Sequence, residues 1–151
     1  MTPETVFLVC NYGVLPAWLL LMVVPNSSWT QVVVHRVWIP MALGLVYAWA
    51  FVAGPGAPEG GSFQTLAGVM RLFDSPYLTV AGWVHYLVFD LFIGAWEARD
   101  AGRRGIAHAW LVPCLILTLM LGPLGLLAYL VVRAVLTREV RLDEAPVLAA
   151  D

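Results

Sequence analysis

The stretch from Gly82 to Arg99, GWVHYLVFDLFIGAWEAR, decides the fold class, because it is apolar enough to cross a bilayer and still carries ionisable side chains. These side chains are His85, Asp90 and Glu97. A carboxylate inside a membrane span is costly unless it is neutralised or paired, so its presence indicates a functional site. The stretch therefore predicts both a membrane helix and the region where this chain carries out its chemistry.

The composition of the whole chain also indicates a membrane protein. Of the 151 residues, 61% are hydrophobic and 12% are charged, and the mean hydropathy is +0.82. The apolar residues form uninterrupted runs, whereas a soluble domain needs more charge to cover its surface. All eight basic residues are arginine, and they form no basic stripe. This distribution excludes nucleic acid as a partner.

Four apolar runs are long enough to cross a bilayer, which takes about 20 residues. They cover approximately residues 6–24, 32–53, 78–96 and 106–136. The fourth run is longer than the hydrocarbon core is thick, and Gly122, Pro123 and Gly125 predict a kink within it. We therefore expect an all-α integral membrane protein whose residues 1–137 form a bundle of four transmembrane helices.

The segments outside the four runs predict a connector, a short helix and a tail. Residues 54–61 are rich in glycine and proline, which is typical of a flexible connector. Residues 63–73 have helical apolar spacing but are too short to cross the membrane, so we expect an interfacial helix between spans two and three. Residues 138–151 are charged and predict an exposed tail.

The number of spans predicts whether the two termini lie on the same side of the membrane, but it does not predict which side that is. Four spans place both termini on one side of the membrane, and the eight arginines then divide four to four between the two sides. The positive-inside rule needs a bias between the sides, so the orientation stays open. We expect a multi-pass protein, in the inner or plasma membrane if it is bacterial.

Counting the helical rise along each predicted span gives two polar layers. For the inner layer we expect one polar chamber that contains Asn11, Tyr47, His85, Tyr86, Asp90 and Thr118. The outer layer lies at the surface opposite the termini and contains His35, Arg36, Glu97, Arg99 and His108. On the third span, one helical face joins the two layers through Trp83, Tyr86, Asp90, Gly94 and Glu97. His85 points away from this face.

Each polar residue also has a structural interpretation. Asp90 can be a structural carboxyl that is bonded to a neighbouring helix, although we favour a role in catalysis or ligand binding. Glu97 with an arginine at the same surface is typical of an anchoring ion pair. His35 and His108 lie at a depth that amphipathic side chains prefer in any case. A weaker alternative is that His35, Glu97 and His108 hold a metal or haem.

Residues in three of the runs carry a family resemblance. They are Asn11, Pro16 and Trp18 in the first run; Gly82, Trp83, His85, Tyr86, Phe89, Asp90, Leu91, Phe92, Gly94, Trp96, Arg99 and Asp100 in the third; and Gly105, Ile106, Pro113, Cys114, Thr118, Leu119, Met120, Gly122, Pro123 and Gly125 in the fourth. With these residues the chain resembles, over about residues 4–135, the membrane proteins similar to plant "abscisic acid deficient four". The resemblance implies a four-helix membrane protein linked to carotenoid conversion, in the plant case from violaxanthin to neoxanthin.

The chemistry that the resemblance implies needs a base and an acid but no redox cofactor. A proton leaves a chain carbon of the epoxy-carotenoid, and a proton reaches the epoxide oxygen. On this hypothesis Asp90 moves the first proton, and His85 or Tyr86 supplies the second. The substrate-binding residues are then Asn11, Trp18, Tyr47, Trp83 and Thr118. We expect an isomerase-like protein that acts on a carotenoid or another isoprenoid lipid and uses no cofactor.

Two other classes of protein stay open at this point. The chain can be a carotenoid-binding or lipid-binding protein, or an accessory subunit, without catalysis of its own. It can also be the metal or haem protein of the weaker alternative. Because four helices make a thin bundle around a long polyene, we expect a homo-oligomer, with small residues at close helix contacts.

Overall fold

The computed structural model of the protein describes residues 1–36 and 38–141, and in these residues the regular structure is α-helical throughout. The helices are α1 (Pro3–Gly13), α2 (Leu15–Val23), α3 (Ser28–Val33), α4 (Trp38–Ala53), α5 (Leu66–Leu72), α6 (Pro76–Arg104), α7 (His108–Leu121) and α8 (Pro123–Thr137). The predicted all-α class is confirmed for these residues. Of the predicted tail, residues 142–151 lie outside the described part.

Three helical stretches in the described residues are long and apolar enough to cross a bilayer. They are Pro3–Val23, Ser28–Ala53 and Pro76–Arg104. Large apolar side chains point outward from the helices, as Leu45, Val52 and Val135 do with more than 70% of their surface exposed. Exposed apolar surface on helices long enough to cross a bilayer is typical of a membrane protein.

The first span contains a local interruption. Thr2 caps α1, because its side chain accepts a hydrogen bond from the Thr5 amide, and Pro3 occupies the first turn. α1 ends at Gly13, and α2 begins at Leu15. Pro16 lacks an amide hydrogen and cannot bond to the preceding turn, which explains an interruption at this point.

Helix α6 extends eight residues beyond the predicted end of the third span at residue 96, to Arg104. The extra turns are charged, but their charges pair along the helix: Asp100 contacts Arg103 at 3.5 Å and Arg104 at 2.9 Å. Pairs three and four residues apart stabilise a helix surface. Hydropathy alone did not predict these turns, because they are charged.

The fourth apolar run differs from the single kinked span that the sequence predicts. It breaks at Gly122, whose φ of +48° lies in a region that favours glycine, and α8 starts at Pro123. The break reverses the chain: Gly122 lies against Asp90, whereas Tyr129, seven residues later, bonds to Asp100. α8 therefore runs back along α7, and the two form a helical hairpin.

The lengths of α7 and α8 agree with a hairpin. They contain 14 and 15 residues, so each is about 21–23 Å long, against about 30 Å for a hydrocarbon core. A run of this length was expected to tilt or kink. The reversal explains the length of the run, because the run forms two helices and not one.

The predicted interfacial helix is present as a helix with narrower bounds than residues 63–73. α5 covers Leu66–Leu72 and is capped by Thr65, whose hydroxyl accepts a hydrogen bond from the Gly68 amide at 3.0 Å. The Ser62 carbonyl and side chain lie so close to Gly68 that no Cβ fits there. The loop before α5 is thus held against the helix.

The chain forms two compact units. In the described residues, unit 1 contains residues 1–16, 36 and 38–89, and unit 2 contains residues 17–35 and 90–141. Helix α6 contributes its first half to unit 1 and its second half to unit 2. The core of unit 1 includes Val6, Cys10, Leu43, Val80, Val84 and Leu87, and the core of unit 2 includes Trp18, Leu21, Leu91, Leu111, Leu115 and Tyr129.

Candidate functional site

An apolar cleft of about 230 Å³ lies in unit 1, between α4, α5 and the first half of α6. Its lining includes Tyr47, Phe51, Phe63, Leu72, Phe73 and His85. The ring centroid of His85 lies 4.6 Å from that of Phe89 and 6.0 Å from that of Tyr47. The structure therefore brings together two of the predicted site residues, Tyr47 and His85, in a cavity that suits an apolar ligand.

Three other predicted residues of unit 1 form a second cluster. The Trp83 indole N–H donates a hydrogen bond to Asn11 Oδ1 at 3.1 Å, and the Trp83 ring lies 5.3 Å from Tyr86, centroid to centroid. Trp83 and His85 are two residues apart on a helix and so point in nearly opposite directions. The single inner chamber predicted from the sequence is thus divided within unit 1, with Asn11 and Tyr86 on one side of α6 and Tyr47 and His85 on the other.

Asp90 lies in unit 2 against the turn of the α7–α8 hairpin. It is 9% exposed, and a Cβ built on Gly122 would lie 2.9 Å from Asp90 Oδ1 and 3.2 Å from Oδ2. The carboxylate therefore faces the N-terminal end of α8. The positive end of a helix dipole favours a negative charge nearby. This position suits a carboxylate that has to stay ionised inside the protein.

Trp18 packs beside this region in unit 2. Its ring atoms lie 2.6 and 2.7 Å from where a Cβ on Gly94 would be, and the side chain is 2% exposed. Gly94 is required here because the indole occupies the space of a side chain. The structure thus places Trp18, predicted to bind substrate, in close packing against α6.

Glu97 and Thr118 form a buried pair in unit 2. Both side chains have no exposed surface, and the Thr118 hydroxyl lies 3.0 Å from Glu97 Oε1 and 3.1 Å from Oε2. The sequence predicted these residues in different layers and favoured an arginine partner for Glu97. In unit 2 the Arg99 guanidinium instead lies 3.0 Å from His35 Nδ1. The carboxyl of Glu97 thus faces Thr118 on α7.

A buried ionic cluster near the end of α6 was not predicted as a site from the sequence. Asp100 is 1% exposed; it accepts a hydrogen bond from Tyr129 Oη at 2.7 Å and lies 3.2 Å from Arg133 Nε. Arg104 bonds both to Asp100 and to Glu139. One feature of the sequence could have predicted this cluster: Tyr129 and Arg133 are four residues apart and therefore lie on one face of α8.

The three residues of the metal or haem alternative have separate partners in unit 2. His35 contacts Arg99, His108 Nε2 lies 2.7 Å from the Met22 carbonyl, and Glu97 bonds to Thr118. Among the residues that the structure describes, no three His, Cys, Asp or Glu side chains are grouped closely enough to share a metal ion. Cys10 and Cys114 are both free and buried.

Unit 2 therefore has three buried carboxyls on one helix, each in a different environment. Asp90 faces a helix N-terminus, Glu97 bonds to a hydroxyl, and Asp100 is surrounded by arginines. Carboxyls whose environments stabilise different protonation states are the usual basis for assigning a base and an acid. The three carboxyls are therefore candidate proton donors and acceptors that lie away from bulk water.

Comparisons with known proteins agree with the resemblance noted in the sequence. The family model described as ABA DEFICIENT 4-like matches residues 5–129. The protein ABA DEFICIENT 4, chloroplastic, of Arabidopsis thaliana is 24% identical to the chain over 144 residues, which cover 90% of this chain and 64% of that protein. The chain thus spans less than two thirds of the length of this relative. No solved structure matches the chain. Since the family model covers most of its length, this chain belongs to the ABA DEFICIENT 4-like family.

Proposed function

We propose that this protein is a membrane-embedded isomerase that converts a carotenoid or a related isoprenoid lipid by acid–base chemistry. The observation that carries the proposal is the position of Asp90. This carboxylate is inside an apolar helix, is buried, and faces the N-terminal end of α8 at the turn of a helical hairpin. A broken helix whose end points at a charged group inside the membrane is typical of a binding or reaction site. Membership of the ABA DEFICIENT 4-like family supports a carotenoid-related substrate class.

The proposed reaction is an isomerisation, so atoms and electrons balance within the substrate. Asp90 takes a proton from a chain carbon, the electron pair of that C–H bond forms a new carbon–carbon π bond, and the C–O bond of the epoxide breaks. A proton then reaches the alkoxide oxygen. The sequence predicts Tyr86 or His85 as its donor, and these two side chains lie on different sides of α6 in unit 1. The N-terminal end of α8, the positive end of its dipole, lies against Asp90.

The test is pigment analysis in a carotenoid-producing host with and without the protein. Asp90→Asn removes the base with almost no change in size, so we expect conversion to fall by about a hundredfold or more with normal protein abundance. Asp74→Asn is the matched control, because Asp74 is exposed and pairs only at the surface with Arg71. Conversion by Asp90→Asn at the wild-type rate would contradict the proposal.

A second candidate function, pigment binding without catalysis, is favoured by the cleft of unit 1. Its walls are aromatic and aliphatic, with His85 as a polar group. On this alternative, purified wild-type protein retains a coloured pigment and leaves it chemically unchanged. Replacing Phe51 by Trp would fill the cleft and release the pigment, whereas Asp90→Asn would retain it.

We also propose a topology of three full spans followed by a re-entrant hairpin, α7–α8, with α5 at the membrane interface. Both ends of the hairpin are at the C-terminal end of α6, because Ile106 bonds to Ala101 and Glu139 bonds to Arg104. In unit 1, Phe7 of α1 packs on Trp83 in the first half of α6.

With this topology the arginines are divided unevenly between the two sides of the membrane, whereas four spans divide them four to four. Arg71 alone is then on the side of the N-terminus, and the other side holds Arg36, Arg99, Arg103, Arg104, Arg133, Arg138 and Arg141. The positive-inside rule assigns the arginine-rich side to the cytoplasm or its equivalent. The short hairpin thus explains both the length of the fourth run and the distribution of charge.

A further inference from the structure

The side-chain amide of Asn11 is only partly satisfied within the described residues. Asn11 is in the first membrane span, Pro3–Val23, about 12 Å along the helix from Pro3. Its Oδ1 accepts the hydrogen bond from the Trp83 indole at 3.1 Å. An amide oxygen can accept a second hydrogen bond, and an amide nitrogen can donate two. In the part of the chain that the structure describes, no group bonds to the nitrogen, so one acceptor and two donors remain.

These remaining groups are at a depth where lipid cannot satisfy them. Asn11 is half-buried, so part of its side chain is accessible from outside the folded chain. Lipid tails neither donate nor accept a hydrogen bond, and an unsatisfied polar group in the hydrocarbon region costs free energy. Asn side chains inside membranes meet this cost by bonding across helices. The Asn11 amide therefore needs a polar partner from another molecule.

Asn11 also lies at the centre of an exposed stripe on the first span. The stripe consists of Leu8, Asn11 and Leu15, and both leucines are exposed. The Val14 amide bonds to the Cys10 carbonyl, so the helical turn continues to the start of α2. At 100° per residue, the three side chains of the Asn11 stripe lie within about 60° of one another. Apolar residues at alternating spacings of three and four are typical of the seam between two packed helices, where a single Asn fixes the register and the number of helices.

A second copy of this chain is the partner that fits the Asn11 stripe. The acceptor and donors that remain on Asn11 are complementary to themselves, because an amide nitrogen can donate to the oxygen of an identical amide. Copies with the same orientation in a membrane form a symmetric pair only about an axis perpendicular to its plane. Each residue then meets its own counterpart at the same depth.

We propose that this protein forms a homodimer through the Asn11 stripe, with two hydrogen bonds between the Asn11 amides of the two copies. Each Nδ2 donates to the Oδ1 of the other copy, while each Oδ1 keeps the hydrogen bond from its own Trp83. The leucines on either side of Asn11 pack against their counterparts and exclude lipid from the amide pair. The dimer does not depend on the reaction at Asp90.

Disulfide cross-linking of the full chain in phosphatidylcholine vesicles tests the interface. Leu8→Cys places a thiol in the stripe, where its counterpart is close enough for a disulfide. Leu45→Cys is the matched control, because Leu45 is also an exposed leucine but lies on α4. The wild-type protein gives the background, since Cys10 and Cys114 are buried. We expect at least about ten times more cross-linked dimer from Leu8→Cys than from the control. No excess over the control would overturn the interface.

Energy transfer between labelled copies in the same vesicles tests the amide pair. The protein is taken from a host that makes no carotenoid, so no pigment can bridge two copies. Asn11→Leu has a similar size but no amide, and we expect its dimer to dissociate about ten times more readily. Trp83→Phe removes the indole donor and keeps the Asn11 amide, so it should associate as the wild-type protein does.

Circular dichroism establishes that each variant keeps its helices. Wild-type association by Asn11→Leu, or an equal loss in Trp83→Phe, would overturn the amide pair. A monomeric wild-type protein would overturn the dimer. Association that begins only when a carotenoid is added would also overturn it, because the pigment would then be the partner of Asn11. None of these results bears on Asp90, so the dimer and the proposed function fail separately.

Discussion

Replacing Gly125 by alanine should destabilise the protein more than any other single methyl group added to a helix. A Cβ at this position would lie 2.0 Å from the Thr118 amide nitrogen, 2.2 Å from its hydroxyl oxygen and 2.3 Å from its Cα. Ordinary contacts begin at 3.4 Å, so α7 and α8 must separate by about 1.4 Å, the difference between 3.4 and 2.0 Å. Two of the three atoms belong to the backbone and cannot move aside as a side-chain tip does.

The size of the effect follows from two costs. Overpacking of a tight core typically costs about 1–3 kcal/mol. When α7 is the helix that moves, the Thr118 hydroxyl also leaves the buried Glu97 carboxyl, which costs a further ~1–3 kcal/mol. The sum, about 2–6 kcal/mol, is a large part of the ~5–15 kcal/mol by which a domain is stable.

The assay is thermal unfolding in detergent, followed by size-exclusion chromatography. Gly44→Ala is the matched control, because Gly44 is also inside a helix and no atom lies within 4 Å of where its Cβ would be. We expect the control to unfold at or slightly above the wild-type temperature, since alanine favours helix by up to about 1 kcal/mol. If Gly125→Ala unfolds at the same temperature as the control, the close crossing of α7 and α8 is not present in the protein.

Three further predictions concern the buried contacts and the topology. Tyr129→Phe removes the hydroxyl that donates to Asp100 at 2.7 Å, and thermal unfolding should show a loss of about 1.5–3 kcal/mol, because the acceptor is charged; no loss would mean that the bond is not formed. Trp83→Phe removes the donor to Asn11 but keeps an aromatic ring, so the same assay should show a smaller loss, of about 1 kcal/mol. Reporter domains fused at either terminus should be on opposite sides of the membrane, whereas four spans would place both on one side.

The candidate site was only partly predictable from the sequence. Asp90 was identified because a carboxylate is conspicuous in an apolar run, and its residue type is independent of the fold. The pairing of Glu97 with Thr118 was not predictable, because the two residues are 21 positions apart and meet only when α7 packs on α6. Asp100 belongs by sequence to a charged segment end, although it is 1% exposed in the folded chain.

The sequence by itself determined the lipid environment and the local structure. It predicts helices in a membrane, an interruption at Gly122 and ionisable groups on the third apolar run. These properties depend on hydropathy and on backbone preferences, which neighbouring residues along the chain already fix. The tertiary structure decided that the chain reverses at Gly122 and brings Tyr129 back to Asp100. A kink and a reversal have the same local sequence, and only the contacts that α8 makes with α6 and α7 distinguish them.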